Sequence, residues 1–94
     1  MDKMIVNIFK SVGLGEEDIK ELCNSSPEVC ELSFSEVDKR FALLEDAGFP
    51  RYDLGSLVMA NPTFLFSPLV LLAKKVKELG SNIEEKLKQN PNLI

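Results

Sequence analysis

Apolar residues recur three and four positions apart along most of this chain, and the pattern then repeats. Ile19, Leu22 and Cys23 form one set, followed by Phe34, Val37, Phe41 and Leu44. Shifted by 35 residues come Leu54, Leu57 and Val58, then Leu69, Leu72, Val76 and Leu79. Such spacing lines side chains along one face of a helix. No stretch alternates with period two, so the expected fold is all-α. Helices are predicted near 4–12, 16–25, 34–46, 51–60, 69–79 and 82–89, with short turns after Pro27 and Pro62.

The same shift aligns Gly13 with Gly48, Asp18 with Asp53, Leu22 with Leu57, Pro27 with Pro62, Lys39 with Lys74 and Leu44 with Leu79, without a gap. A third copy opens at Gly80 and is three residues shorter before its first helix. It then runs Ile83, Leu87, Asn90, Pro91, Leu93 and Ile94 in register. Val6, Phe9 and Val12 match Phe41, Leu44 and Ala47, so residues 1–12 are the end of a preceding unit. Residues 1–94 therefore form a single domain with units of about 13–47, 48–79 and 80–94. The expected architecture is a short, solenoid-like stack, right- or left-handed: a half-repeat, two full repeats and a half-repeat.

Local signals punctuate each unit. Gly13, Gly48 and Gly80 follow apolar-periodic segments, where a left-handed residue ends a helix at little steric cost. Each Pro then stops the first helix, because the residue before it is driven out of the α region. Ser26, Asn61 and Asn90 fill that preceding slot and are expected to cap the following turn. Behind each Pro sits an apolar pair, Val29-Cys30, Phe64-Leu65 or Leu93-Ile94, expected to plug the junction into the core. Ser33 with Glu36 and Ser81 with Glu84 have capping-box spacing, and Ser67-Pro68 reads as an N-cap followed by Pro at N1.

The segment from Asn61 to Gly80, "NPTFLFSPLVLLAKKVKELG", carries the unit in its fullest form. A repeat of this length, with Gly, an apolar helix face, Pro, two large apolar residues and a second helix ending in Leu, resembles the mitochondrial transcription termination factor (mTERF) repeat. The resemblance covers nearly the whole chain. It implies stacked helical units forming a superhelix whose basic concave groove holds nucleic acid, without catalysis.

Composition narrows the chemistry. The 94 residues are 45% hydrophobic and 28% charged, as in an ordered globular chain. The densest apolar run, 64–73, is interrupted by Ser67 and Pro68 and falls short of the about 20 residues a bilayer requires. The opening Met-Asp-Lys-Met shows neither signal nor transit character. A soluble cytoplasmic protein is expected, or an organellar one if the chain is excised from a longer precursor; no membrane partner is expected. There is no His, which removes the commonest acid–base group and metal ligand. No metal, cofactor or small-molecule substrate is expected. Cys23 and Cys30 could be a redox pair, but their repeat equivalents, Val58 and Leu87, Leu65 and Ile94, favour buried core thiols. Glu16, Glu17 and Asp18 fall in the first turn of a helix, where acids offset the dipole. With no nucleophile, base or phosphate loop beside them, the chain is not read as an enzyme.

Charge divides the molecule. Residues 1–47 hold five Lys or Arg against eleven Asp or Glu, a net of −6, while residues 48–94 hold six against four, a net of +2. Candidate nucleic-acid contacts are Lys39, Arg40, Lys74, Lys75, Lys77, Lys86 and Lys88. Lys39 and Arg40 are the repeat equivalents of Lys74 and Lys75, so stacking would align them as a stripe that neutralises phosphates. The competing reading is that they populate a solvated face and helix ends, where cations suit the dipole. Glu36, Asp38 and Asp46 dilute the first pair. One Tyr and no Trp leave no platform for base stacking, so contacts should be to phosphate. Phe66, Val70 and Leu71 stand where the first repeat has Glu31, Ser35 and Glu36. They are either a protein-binding patch or extra core for a central repeat. The expected function is a non-catalytic binding module with nucleic acid as partner. The alternative is a protein-interaction module, part of a larger protein, that meets further repeats or a protein partner at its ends.

Overall fold

Proline and glycine break the chain where their backbone chemistry requires it. The computed structural model describes residues 3–94. Six α-helices follow in order: α1 (Lys3–Ser11), α2 (Glu16–Ser25), α3 (Phe34–Asp46), α4 (Leu54–Ala60), α5 (Leu69–Leu79) and α6 (Ile83–Gln89). Short 3-10 turns lie at Pro27–Glu31, Arg51–Asp53, Pro62–Leu65 and Pro91–Leu93. Among the described residues there is no strand, and no helix is long and apolar enough to cross a membrane. Three of the turns begin on a Pro that follows α2, α4 or α6, as the sequence pattern predicts.

Helices α1, α3 and α5 pack in succession, with α2 against α1 and α6 against α5. The turn at Pro62–Leu65 also packs on α3. Phe9, Phe41 and Phe64 are fully buried. The Phe9 and Phe41 rings meet edge to face with centroids 6.3 Å apart, an arrangement that aromatic quadrupoles favour. Val37, Phe41 and Leu44 of α3 and Leu72 and Val76 of α5 bury the predicted stripes. The first members of those stripes do not follow. Phe34 and Leu69 lie in the opening turns of their helices and remain more than a third exposed.

The end of α1 is knitted to the start of α4. Gly13 adopts φ 100°, and a Cβ there would lie 2.7 Å from the Tyr52 carbonyl oxygen. Gly55 donates its N–H to Val12 O at 2.8 Å, and a Cβ on Gly55 would come within 2.6 Å of that oxygen. Arg51 donates through Nη2 to Ser11 Oγ and through Nη1 to Glu45 Oε2, both at 2.9 Å. This approach explains why residues 51–53, expected to open α4, form a 3-10 turn instead. Leu54 N–H bonds to Arg51 O, and the Gly55 N–H that would continue an α-helix from Arg51 is spent on Val12.

Several predicted caps are rearranged. Ser33 Oγ does accept from Glu36 N at 3.2 Å, and it donates to Glu36 Oε1 at 3.3 Å. The Ser81–Glu84 box does not form. The shortened third unit must turn within three residues, so Asn82 takes a left-handed conformation (φ 60°) and α6 begins only at Ile83. Ser67 caps nothing through its side chain at α5, which starts behind Pro68. Of the residues before each Pro, Asn90 caps its turn, accepting from Asn92 N at 3.2 Å. Ser26 makes no such bond. Asn61 is buried and reaches sideways, donating from Nδ2 to Pro91 O at 2.8 Å and accepting from the Thr63 hydroxyl.

The plugs and the cysteines also need correction. Phe64, Leu65, Val29 and Ile94 are buried as expected, whereas Leu93 is 40% exposed. Cys23 and Cys30 are not buried thiols. They are half-buried and joined in a disulfide, with Cα atoms 5.8 Å apart, inside the range a disulfide can span. Cys23 still packs against the core, so the repeat assigns its direction correctly and its chemistry wrongly.

Candidate nucleic-acid interface

Seven cations were candidates, and the fold divides them by what each ammonium or guanidinium touches. Arg40 is only 8% exposed. Its Nε and Nη2 donate to Ser67 O at 3.2 and 2.6 Å, and its Nη1 donates to Glu36 O at 2.8 Å. The guanidinium thereby ties α3 to the segment that enters α5. Lys75, its repeat equivalent, is half-buried with Nζ 3.5 Å from Ile94 O. Lys86 donates to Leu79 O, a carbonyl left over at the end of α5. Lys88 lies between two carboxylates, 2.9 Å from Asp53 Oδ2 and 2.6 Å from Glu84 Oε2. The hydrogen bonds that it donates to Glu84 and Asp53 hold the Lys88 ammonium above the usual lysine range. The hydrogen bond from Lys88 in turn holds Asp53 below its ordinary value of 3.8.

The other three behave differently. Lys39, Lys74 and Lys77 are exposed and make no hydrogen bond or ion pair among the described residues. Lys39 follows buried Val37 by two residues on α3, and Lys74 follows buried Leu72 by two on α5. Because α3 and α5 pack together, the two lysines hold matching positions on neighbouring helices. Val70, Lys74 and Lys77 succeed one another at i, i+4 and i+7, one stripe of α5 reaching about 10 Å along its axis. Acidic groups interrupt this surface. Glu78 and Asp46 are exposed, Asp38 is half-exposed, and Glu36 is held by Ser33. The arrangement is a few exposed point charges on neighbouring helices, with carboxylates between them.

Beside these lysines is an apolar patch. Val70 is 85% exposed, Leu71 44% and Phe66 38%. The central repeat does not bury them, which removes the extra-core reading. Leu69 and Phe34 add to the exposed apolar surface and are absent from the sequence-based assignment. Their signal was position, because a residue in the first turn of a helix has no preceding turn to cover it. Tyr52 is 74% exposed in the turn before α4.

A semi-enclosed hollow of about 230 Å³ opens between α4 and α6, lined by Phe49, Leu57, Leu87 and Pro91 with Ser56 and Lys88 at its polar edge. No carboxylate or thiol lines it, and its one ammonium is already paired. Among the described residues, no three His, Cys, Asp or Glu side chains gather as a metal-holding group.

Comparison with known proteins identifies a family. The family model described as mTERF matches residues 2–90, nearly the whole chain. No curated protein and no solved structure gives a significant match.

Proposed function

The chain belongs to the mTERF family, and from that premise we propose that it is a non-catalytic helical-repeat module that holds nucleic acid by its phosphates. Residues 1–94 act as one stacked array: a half-repeat, units of about 13–47 and 48–79, and a final half-unit from Gly80. Lys39, Lys74 and Lys77 make the contacts. The observation that carries this reading is that these three, at matching and successive positions of α3 and α5, have no hydrogen-bond or ion-pair partner among the described residues. Arg40, Lys75, Lys86 and Lys88 contribute at most to the surrounding field, since each is engaged by the protein itself.

With few cations involved, affinity is weak and falls steeply with salt, the slope scaling with the phosphates neutralised. The test is a titration of fluorescent duplex DNA and of single-stranded RNA at low salt. Replacing Lys39, Lys74 and Lys77 together by Gln should abolish binding and flatten the salt dependence, while Lys88→Gln changes little. Neutralising Glu36 and Asp38 should tighten binding. Absence of binding to either nucleic acid at about tens of micromolar protein, within the range of ordinary non-specific affinity, overturns the proposal.

A second reading rests on the exposure of Val70, Leu71 and Phe66. It makes this end of α5 a protein-docking patch. A chain that ignores both nucleic acids, yet binds an apolar dye and loses it on Val70→Ser with Leu71→Ser, is to be understood this way.

A further inference from the structure

The first Pro junction is fastened differently from its two copies. At the second, Val58 and Leu65 are fully buried, and at the third, Leu87 and Ile94 are buried. At the first, those positions are Cys23 and Cys30, half-buried and joined by a disulfide. The rest of that junction is thin. Val29 is the plug where the second junction has Phe64, and Ser26 makes no side-chain bond where Asn61 donates to Pro91 O. The disulfide therefore replaces the apolar closure used by the other copies, and neither of its cysteines is fully buried as Val58 and Leu65 are.

We propose that Cys23–Cys30 is a reversible redox site, a thiol–disulfide switch that closes the first Pro junction when oxidised and releases it when reduced. The co-reactant is a small thiol or a dithiol protein. Its thiolate attacks one Sγ, the S–S bond breaks, and the other Sγ leaves as a thiolate that takes up a proton. A second external thiol then displaces the mixed disulfide. Two electrons and two protons pass to the protein, and the two external thiols leave as their own disulfide. The junctions at Pro62 and Pro91, closed by carbon side chains, do not respond.

Three backbone bonds report on the switch: Ser26 N–H to Leu22 O at 2.8 Å, Val29 N–H to Ser26 O at 3.0 Å and Leu32 N–H to Val29 O at 3.3 Å. The second junction supplies internal controls in Asn61 N–H to Leu57 O at 2.8 Å and Phe66 N–H to Thr63 O at 3.0 Å. Amide hydrogen exchange of the 94-residue chain is to be read residue by residue, oxidised and then held reduced with a phosphine. The amides of Ser26, Val29 and Leu32 should exchange about tenfold or more faster when reduced, because a short disulfide loop restrains local opening. Those of Asn61 and Phe66 should stay within about twofold, as expected for separate cooperative units. Cys23→Val with Cys30→Leu rebuilds the apolar pair of the second copy and should exchange slowly with or without the phosphine. Equal rates in the two redox states overturn the proposal, as does acceleration that spreads to Asn61 and Phe66. A pair that remains dithiol in excess oxidised glutathione, or a phosphine response that persists in the double variant, overturns it equally.

Discussion

The junctions at Pro27 and Pro62 follow one plan: an α-helix, a residue with a bent backbone before Pro (Ser26 at φ −138°, Asn61 at φ −152°), a 3-10 turn and a second helix. What holds them differs. The first combines a small plug, Val29, with a disulfide. The second combines Phe64 and Leu65, fully buried, with an Asn61 side chain bonded to the Pro91 carbonyl of the next turn. Backbone geometry is thus set by the Pro and by helix periodicity, while the closing energy comes from whichever chemistry is present. A repeat can keep its shape while exchanging packing for a covalent bond.

The largest expected effect falls on the plugs. Phe64→Ala should cost about 3–5 kcal/mol in denaturant unfolding, through lost burial and a residual cavity. Val29→Ala removes fewer atoms from a junction the disulfide still closes, and should cost distinctly less. Equal losses would break the comparison, since the first junction would then depend on packing after all.

A smaller effect separates Asn61 from Ser26. Asn61→Ala strands the Pro91 oxygen in a part-buried position and should cost about 1–3 kcal/mol. Ser26→Ala should stay within about 0.5 kcal/mol, as for a surface change that removes no bond. Thermal unfolding of the two variants side by side decides this, and a costly Ser26→Ala would show a tie at the first junction that the structure lacks.

The smallest effect concerns Asp18 and Asp53, which are repeat equivalents with different partners. Asp18 accepts from Gly15 N at 2.9 Å at its own helix start, whereas Asp53 pairs with Lys88 of α6. Lys88 lowers the Asp53 pKa, so the folded state binds that proton less readily than the unfolded chain. The pair therefore stabilises above the ordinary value of 3.8 and stops doing so as pH falls through the depressed one. The raised pKa of Lys88 has the complementary sign: its contribution is full below the ordinary 10.5 and is lost as pH rises from there through the raised value. An NMR titration of the Asp53 carboxyl should move up toward its ordinary value in Lys88→Gln. No movement would show that the ion pair does not persist in solution.

Helix order and the Pro pivots were legible because periodicity and Pro act locally, whatever the tertiary surroundings. The caps were less so. Serine at a capping-box spacing is necessary for the box, but the shortened third unit imposes a left-handed Asn82 that the spacing of Ser81 and Glu84 cannot reveal. Arg40 looked like any surface cation. A signal was present nonetheless, since Ile5, buried on α1, stands 35 residues before it and Lys75 stands 35 after. An apolar counterpart alone does not decide the direction, since Met4 stands 35 residues before Lys39 and is 52% exposed, as Lys39 and Lys74 are exposed. The disulfide was the hardest to see, because the other copies show only that the two positions meet the core.

The bond from Gly55 to Val12, reinforced by Arg51 on Ser11 across 40 residues, has a consequence for how the chain acquires its fold. The Gly55 N–H meets Val12 O only when the tail of α1 arrives, so a loop spanning the whole first unit must be closed before that bond rewards it. Such non-local closure slows folding relative to the neighbouring helix pairs. The boundary drawn by sequence repetition, at Gly13, therefore falls inside a set of bonds that ties α1 to the start of α4 and that no single repeat contains.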